Sequence, residues 1–472
     1  MKKLGGINIS DTLSRARAAL AEDKSISAST KAIFEVLIMI IELLAARFGL
    51  NSSNSSQPPS SDLNRDKKPK GSSKKKPGGQ KGHAGKKLEK FSKPDEVKYI
   101  PVDRTQLPDG KYEVAGYESR QVVEIIIKRH VTEYRAEVLK NLSDGKKHTA
   151  QFPDFLTQPV QYGRDLKAHS VYMSQYQLLP YLRIEDYFRE QLGIPISAGS
   201  IFNFNKEAYR LLEKFDTICK QKLISSEIIQ SDETGINVGG KRIWLHSASN
   251  NLWAYFHPHI KRGTEAMDEI GILPEFKGVL CHDHWKSYYK YQQCLHALCN
   301  AHHLRELEDA IENYKQNWAK DMQDLLKKIS HDINKAGGAL PKTEADIYRL
   351  GYRKILQAAE IECPPPPIVR GKRGKPKKSK PRNLLERLRN FEDDILRCMD
   401  IGYVPFTNNQ AENDIRMTKV QQKISGCFRS IEGAKIFCRV RSYIKTCQKQ
   451  NLDPAQALKI LFAGKLPDFC SK

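Results

Sequence analysis

The stretch from Glu227 to Arg305 constrains the fold more than any other region of the chain. Two apolar runs in it lead into aspartates: Ile228-Ile229 precede Asp232, and residues 278–281 precede Asp283, 51 positions later (283 − 232). Two further β-type runs, 243–247 and 252–256, lie between them and are followed by a short helical run. The order strand, strand, strand, helix, strand predicts a mixed α/β sheet with two carboxylates at the ends of neighbouring strands.

A ribonuclease-H-like sheet presents its first two metal-binding carboxylates in this way, on adjacent parallel strands. Burial of an unpaired Asp is costly, and a divalent cation offsets that cost. The alternative is that Asp232 and Asp283 are ordinary turn or cap residues. A third acid favours the metal site: Glu412, 129 positions after Asp283 (412 − 283), lies in the first turns of a predicted helix capped by Thr407 or Asn408. The three oxygen ligands suit Mg²⁺ or Mn²⁺.

The surroundings of these acids, SDET, CHDHW and NNQAENDIR followed by KISGCFRS, resemble the DDE triad of the insertion sequence 66 family of bacterial transposases. The N-terminal phrases NSSNSSQPPSSD and KPGGQKGHAGK also match that family, so the resemblance runs from about residue 30 to about residue 450. It implies that Asp232, Asp283 and Glu412 are catalytic and bind two Mg²⁺ (or Mn²⁺) ions. It also implies cleavage of the element ends and joining of the 3′-OH to target DNA by two-metal phosphoryl transfer.

The resemblance implies double-stranded DNA, both element ends and target, as the partner, with a homo-oligomer on DNA and accessory proteins from the same element. Two other functions fit the residues: a metal-dependent nuclease of the same fold without strand transfer, and a catalytically silent, repressor-like DNA-binding protein. The scattered cysteines and the absence of an apolar core behind MKKLGGINIS predict a cytoplasmic protein without a signal peptide or disulfide framework. The resemblance implies that the protein is bacterial and nucleoid-associated.

Positive charge is concentrated in two runs rather than spread over the chain. Residues 65–90 hold 11 Lys/Arg against two acids, and residues 370–382 hold eight Lys/Arg and no acid, so together they supply +17 of the formal net charge of +23. Flexible polycations of this kind bind phosphate backbones by releasing counterions; the alternative is a solvated linker. The predicted DNA contacts in these runs are Lys74, Lys75, Lys76, Lys372, Arg373 and Lys377.

Helical and small β units are predicted before the core. Residues 30–50 are apolar at Ile33, Leu37, Ile40 and Leu44, a spacing typical of a coiled-coil seam, with docking on the chain's own core as the alternative. The charged residues within this segment argue against a membrane span. Residues 122–127 and 131–138 are predicted to be strands of a unit that lacks the family's usual zinc-ribbon cysteines, which puts metal binding by residues 91–155 in doubt.

A pair of helices predicted within residues 170–212 resembles a helix-turn-helix. Ser197 is expected to cap the second helix, with Ser200, Asn203 and Asn205 as its polar reading face. The alternative is two helices packed in an all-α linker domain.

Other polar residues of the core have less direct roles. Glu233 is expected to face away from Asp232, and Asp414 away from Glu412. Arg416 shares the face of Glu412, with Lys423 further along, and is interpreted as a phosphate clamp or a partner of Glu412, with a plain i,i+4 ion pair as the alternative. Cys299 and His302 are assigned a structural role, because four ligands crowded into residues 294–303 make an awkward zinc site.

The predicted fold is thus multidomain α/β, with a ribonuclease-H-like mixed sheet flanked by helices and interrupted by a helical insertion. The predicted units are an N-terminal helix (1–50), a disordered basic linker (51–90), a small β unit (91–155), a helical DNA-binding domain (156–221), a first core segment (222–305), a helical insertion with a basic loop at 370–382 (306–404), a second core segment with the Glu412 helix (405–450) and a C-terminal tail (451–472).

Overall fold

A computed structural model describes residues 3–4, 7–23, 25–48, 88–367 and 376–471. The strands are β1 (Lys3–Leu4), β2 (Ile7–Asn8), β3 (Val138–Lys140), β4 (Lys147–Thr149), β5 (Ile228–Val238), β6 (Lys241–Ser249), β7 (Ala254–His259), β8 (Val279–His282) and β9 (Leu295–Leu298). The helices are α1 (Ile9–Glu22), α2 (Ala28–Phe48), α3 (Arg164–Val171), α4 (Tyr181–Leu192), α5 (Ala198–Leu211), α6 (Glu213–Ile224), α7 (Thr264–Ile270), α8 (Asn300–Tyr314), α9 (Asn317–Ala336), α10 (Lys342–Glu362), α11 (Lys380–Asn390), α12 (Glu392–Asp400), α13 (Asn409–Ser425), α14 (Ile431–Lys449) and α15 (Pro454–Phe462).

The chain is built around one mixed five-stranded sheet with the order β7-β6-β5-β8-β9. Strands β5, β6 and β7 form an antiparallel meander, whereas β8 runs parallel to both β5 and β9. The predicted mixed α/β class is therefore confirmed, since the described residues contain fifteen helices and this mixed sheet.

Alternate residues of the strands point to two different helical layers. Ile229 of β5 and Leu280 of β8 pack in a core with helices α3–α6 and α15. Val279 and Cys281 of β8 point the other way and pack with α8–α12, the predicted insertion. Because both faces of β8 are covered, its four residues are all buried, as is typical of a parallel strand between layers.

The approach of β8 to β5 leaves no room for a side chain at Gly278. A Cβ atom there would lie 2.4 Å from the Glu227 carbonyl oxygen and 2.7 Å from the Phe276 ring. Since the obstructing oxygen belongs to the backbone just before β5, it cannot move without breaking the parallel pairing.

We therefore expect Gly278→Ala to lower the free energy of unfolding by about 3 kcal/mol or more, because overpacking against the backbone displaces a core strand. Gly351→Ala in α10 is the matched control: its Cβ meets only Leu325 Cδ1 at 3.9 Å. The control should stabilise the chain by about 0.5–1 kcal/mol. Urea unfolding of both variants measures the difference, and equal stabilities would contradict the close contact.

Several predicted boundaries are wrong in detail. The amphipathic pattern of residues 304–336 predicts one long helix, but the structure has two, α8 and α9, divided where Lys315 takes a positive φ of 56°. Residues 383–401 have the same kind of amphipathic pattern, which predicts one helix, but they are divided into α11 and α12 at Phe391. Residues 451–472 are no tail, since α15 buries Ala457, Leu458 and Leu461 against the core. The apolar repeat continues through each helix break, because the helices on both sides of the break bury an apolar face.

Strands do not form at 122–127 and 131–137. The β-structure in described residues 88–163 is a short hairpin of β3 and β4, whose residues are all exposed. The β-branched residues there favour an extended backbone, but a strand also needs a hydrogen-bonded neighbour, which these residues lack within the described chain.

The helix pair α4–α5 forms with the predicted cap, because Ser197 Oγ accepts from the Ser200 amide at 3.1 Å. Asn205, however, is fully buried and donates to Tyr181 Oη and the Ile201 carbonyl, so its placement on a reading face was wrong. One hydrophobic cluster also crosses the expected boundary at residues 221–222. The helix pair therefore belongs to the same hydrophobic core as the sheet.

At the N-terminus, α2 pairs with α1, with an ion pair between Arg17 and Glu35 at 3.4 Å. The predicted seam residues Ile33, Leu37, Ile40 and Leu44 remain 43–61% exposed, so the described core does not cover them. Self-association through this face remains a prediction. Among the described helices, none has the combined length and apolarity that crossing a membrane requires.

Candidate active site

Asp232 lies on β5 just beyond the point where parallel pairing with β8 ends. The last parallel pair is Gln230 with Cys281, and β5 continues to Val238 beside β6 alone. Asp232 therefore sits within the strand, and the prediction that it lies at the strand's end is corrected. Its Oδ1 accepts from the Glu233 amide at 2.9 Å.

Asp283 directly follows β8 and so lies at the same end of the parallel ladder. Its Oδ1 accepts from the Trp285 amide at 3.0 Å, which orients the carboxylate. The next residue, His284, takes a φ of +73°, a conformation uncommon for a residue with a side chain. Such strain is typical of a turn that is held by its surroundings.

Glu412 lies in the first turn of α13, and three hydrogen bonds hold the residues just before that helix against β5 and the start of α8. Asn408, the residue before the helix, donates from Nδ2 to the Ser231 carbonyl at 2.8 Å. The Asn408 amide donates to Cys299 Sγ at 3.1 Å, and the Asn300 amide donates to the Phe406 carbonyl at 3.1 Å. A segment that is remote along the chain is thereby placed next to Asp232.

The three predicted carboxylates lie within electrostatic reach of one another. Burial, followed by the charges of Glu233, Asp283 and Glu412, raises the pKa of Asp232 well above its ordinary value. Burial also raises the pKa of Glu412, with opposing effects from Arg305, which lowers it, and Asp283, which raises it. Their oxygen atoms are not all within 4.8 Å of one another. The three carboxylates therefore lie around a common region but are farther apart than the ligands of a single ion.

The neighbouring acids are held elsewhere, as alternation predicted. Glu233 points to the opposite face of β5, where its carboxylate accepts from Arg262 and from Tyr288 Oη at 2.7 Å. Asp414 is buried on α13 and pairs with Lys445 at 3.1 Å and Lys449 at 2.9 Å. Neither carboxylate is free to join the triad.

Two residues beside Glu412 are Cys299 and His302, which sequence analysis assigned a structural role. Cys299 holds the start of α13 through the Asn408 amide. His302 Nδ1 lies 3.9 Å from Glu412 Oε1, and burial lowers the pKa of His302 to about 4. Nothing in the local pattern indicates that both meet Glu412, since the contact depends on how the start of α8 approaches the start of α13.

Arg305 is a candidate that sequence reasoning missed. It lies one turn after His302 on α8, and its charge acts on the pKa of both Glu412 and His302. Its buried Nε atom has no hydrogen-bond partner among the described residues. The helical i,i+3 spacing from His302 could have identified it once the Glu412 contact was known.

The predicted DNA-binding residues are exposed where the structure describes them. Arg416 and Lys423 are exposed on α13, and Lys377 is exposed before α11. Arg416 forms no ion pair within 4.0 Å in the described residues, so the alternative of an i,i+4 pair with Glu412 is not formed. Lys74, Lys75, Lys76, Lys372 and Arg373 lie outside the described residues.

A cavity of about 300 Å³ opens between α8 and α11 beside His284. Its wall includes Asn383, Arg387 and Lys380, so it reaches from the Asp283 turn to the end of the basic segment. Arg387 also forms an ion pair with Glu306 across this gap. The insertion therefore presents a polar recess next to the acidic centre.

Comparison with known proteins gave two matching families. The family model described as Transposase IS66 family matches residues 159–436, more than half of the chain, and includes all three carboxylates. A second, described as a family of unknown function (DUF6444), matches residues 12–89. No curated protein matches the chain.

Proposed function

Because the chain belongs to the Transposase IS66 family, we propose that it is a DDE transposase that cleaves the ends of an insertion sequence and joins the 3′-OH to target DNA. One observation carries the proposal. Glu412, on a helix far along the chain, is brought within electrostatic reach of Asp232 and Asp283 at one end of the sheet. Family membership supports a DNA-processing enzyme, and this convergence supports the named residues.

The residues present fit a pair of divalent cations. Asp232 is a buried acid whose carboxylate faces two others without a cationic partner of its own among the described residues, an arrangement that a bound cation would relieve. The donors are all carboxylate oxygens, which suit Mg²⁺ or Mn²⁺. We propose that Asp232, Asp283 and Glu412 would hold two such ions, which when bound would supply activation of the water or 3′-hydroxyl and neutralisation of charge on the leaving 3′ oxygen.

The other residues of the centre orient the carboxylates and the substrate. The amides of Glu233 and Trp285 hold the Asp232 and Asp283 side chains in place. Arg305, whose charge acts on Glu412 and whose Nε has no partner in the described residues, is placed to hold the scissile phosphate. Direct in-line attack requires no covalent enzyme intermediate, so these residues need only bind and align the DNA strands.

We further propose that the sheet is ribonuclease-H-like. Its support is the strand order β7-β6-β5-β8-β9, in which an antiparallel meander is extended by two parallel strands, with the carboxylates at one end of the central pair. The insertion of residues 306–404 would then bind DNA through its basic segment, residues 370–382, and through the cavity between α8 and α11 beside His284. The helices within residues 156–221 and the basic run of residues 65–90 are proposed as further DNA contacts.

We expect the change of Lys74, Lys75 and Lys76 to Gln to weaken DNA binding and to flatten its salt dependence. Each phosphate contact contributes about 0.9 to the slope of log K against log salt, so the slope should fall by at most about 2.7. Fluorescence anisotropy at several salt concentrations measures it. Three exposed lysines outside the basic runs, Lys335, Lys342 and Lys354, are the matched control, and an equal effect there would argue against a specific contact.

Strand transfer with pre-cleaved DNA tests the proposed reaction. The full-length chain is incubated with Mg²⁺, a target plasmid and duplexes that carry the ends of its own element, either intact or already cut to a 3′-OH. A transposase should nick the first and join the second. Cutting without joining would indicate a nuclease, and binding without either reaction would indicate a DNA-binding protein that is catalytically silent.

A further inference from the structure

A second group of ligand-type side chains lies beside the proposed catalytic acids. One ligand atom each from Cys299, His302 and Glu412 lies within 4.8 Å of the other two. No other set of three or more His, Cys, Asp or Glu residues meets this condition within the described residues. The set joins the N-terminal end of α8 to the first turn of α13.

Two atoms of this group are buried without a hydrogen-bond partner in the described structure. They are His302 Nδ1 and Glu412 Oε1, which lie 3.9 Å apart. Two ligands of a tetrahedral zinc ion, with bonds of about 2.0–2.1 Å, lie about 3.4 Å apart. The distance between His302 Nδ1 and Glu412 Oε1 is thus too long for a hydrogen bond. It needs to shorten by only about 0.5 Å for both atoms to bind one ion.

The sulfur of Cys299 lies close enough to His302 and Glu412 to bind the same ion. Cys299 is 1% exposed, and its Sγ accepts a hydrogen bond from the Asn408 amide at 3.1 Å. An amide donor to sulfur fixes a ligand and stabilises its thiolate form, as outer partners commonly do at metal sites. The same contact ties the sulfur to the segment that carries Glu412.

The other nearby Cys and His residues are engaged elsewhere. Cys294 Sγ donates to the Tyr291 carbonyl at 3.2 Å, and His303 Nδ1 bonds to Asn300 Oδ1 at 3.1 Å. The objection to four crowded ligands within residues 294–303 therefore does not apply to this group, because the third ligand comes from α13. A donor set of sulfur, nitrogen and oxygen favours Zn²⁺ or Co²⁺ over Mg²⁺.

We propose that Cys299, His302 and Glu412 form a zinc-class site that overlaps the proposed Mg²⁺ site at Glu412, so that zinc inhibits the enzyme. On binding, the Cys299 thiol releases its proton to solvent and the sulfur donates an electron pair to the ion, with a fourth position left to water. Occupancy withdraws Glu412 from the catalytic group. The inhibitory role rests on the proposed function, whereas the binding site does not.

Cobalt spectroscopy of the full-length, reduced, metal-free chain tests the site directly. Titration with Co²⁺ should produce a sulfur-to-cobalt charge-transfer band, and added Zn²⁺ should abolish it. Cys299→Ser should remove the band, whereas the matched control Cys294→Ser should keep it. His302→Ala should weaken Co²⁺ binding by about 100-fold or more, because changes that merely disturb ligand orientation already cost about 10–100-fold.

Absence of the band in the wild-type chain, or its persistence in Cys299→Ser, would overturn the site. Circular dichroism establishes whether the variants are folded. If Cys299→Ser is unfolded, the Co²⁺ affinity of His302→Ala tests the site instead. Nicking of end DNA in Mg²⁺ tests the inhibition when each protein is compared with its own rate without Zn²⁺: Zn²⁺ should suppress the wild type and the control Cys294→Ser and should spare Cys299→Ser. Equal suppression of the wild type and Cys299→Ser would overturn the inhibitory role. If the chain shows no nicking activity, the cobalt spectrum still tests whether the metal-binding site exists.

Discussion

Replacement of Glu412 by Gln should lower Mg²⁺-dependent nicking of end DNA by about 10³-fold or more and leave DNA affinity unchanged. A neutral amide is a far weaker ligand than a carboxylate, and charge stabilisation by a bound metal contributes several kcal/mol, where each step of about 1.4 kcal/mol is tenfold in rate. The rate is measured on labelled duplexes and the affinity by anisotropy. Glu432→Gln, in the exposed first turn of α14, is the control and should keep the wild-type rate.

Asp232→Asn should abolish nicking in the same way and should also stabilise the metal-free protein. Burial and the neighbouring carboxylates raise the pKa of Asp232, so its ionised form opposes folding at neutral pH. We therefore expect Asp232→Asn to unfold at a higher urea concentration than the wild type. Activity and stability should therefore change in opposite directions.

The pH dependence of this gain follows from the direction in which the pKa is displaced. A carboxyl group whose pKa is raised in the folded state holds its proton more tightly there, so wild-type stability recovers as the pH falls through that pKa. The advantage of Asp232→Asn should thus be greatest near neutral pH and shrink in mild acid. An advantage that grew as the pH fell, or nicking at the normal rate by either variant, would contradict the triad.

Arg262→Ala should be among the most destabilising single changes near the site. Arg262 forms two hydrogen bonds with Glu233, whose side chain is 1% exposed, and lies between the rings of Trp244 and Trp285 at 4.7 and 4.3 Å. Its removal leaves a buried carboxylate without its cation. The expected loss is about 2–3 kcal/mol, toward the low end for such pairs because Arg262 itself is 39% exposed.

The double variant Glu233→Gln with Arg262→Ala separates charge from packing. If the unpaired carboxylate causes the loss, removal of its charge should recover most of the stability, while Tyr288 Oη keeps an acceptor at position 233. Urea unfolding followed by tryptophan fluorescence measures all four members of the cycle. Simple additivity of the two changes would show that the ion pair contributes little.

Much of the site could be predicted from local pattern alone. The apolar runs before Asp232 and Asp283 predicted neighbouring strands, and the alternation of side chains along a strand correctly separated Asp232 from Glu233. The helical repeat likewise directed Asp414 away from Glu412, and it is held by Lys445 and Lys449. These predictions succeeded because strand and helix periodicity depends on the backbone and not on distant contacts.

Breaks in regular structure were less predictable. The separation of α8 from α9 at Lys315 leaves the apolar pattern almost unchanged, so periodicity merged the two helices. The extended residues near Ile125 have strand-like composition but no partner strand in the described chain. Asn205 looked like a surface amide, yet it satisfies its donors inside the packed helices.

The sequence by itself determined the mixed α/β class, the family and the choice of three acids as candidates, because these depend on residue type, order and short-range repeat. Only the tertiary structure decided which side chains surround Glu412. Cys299, His302 and Arg305 lie near it because the first residues of α8 meet the start of α13, where the Asn408 amide donates to Cys299 Sγ. Contacts between segments so distant along the chain depend on the packing of whole layers, which no local pattern encodes.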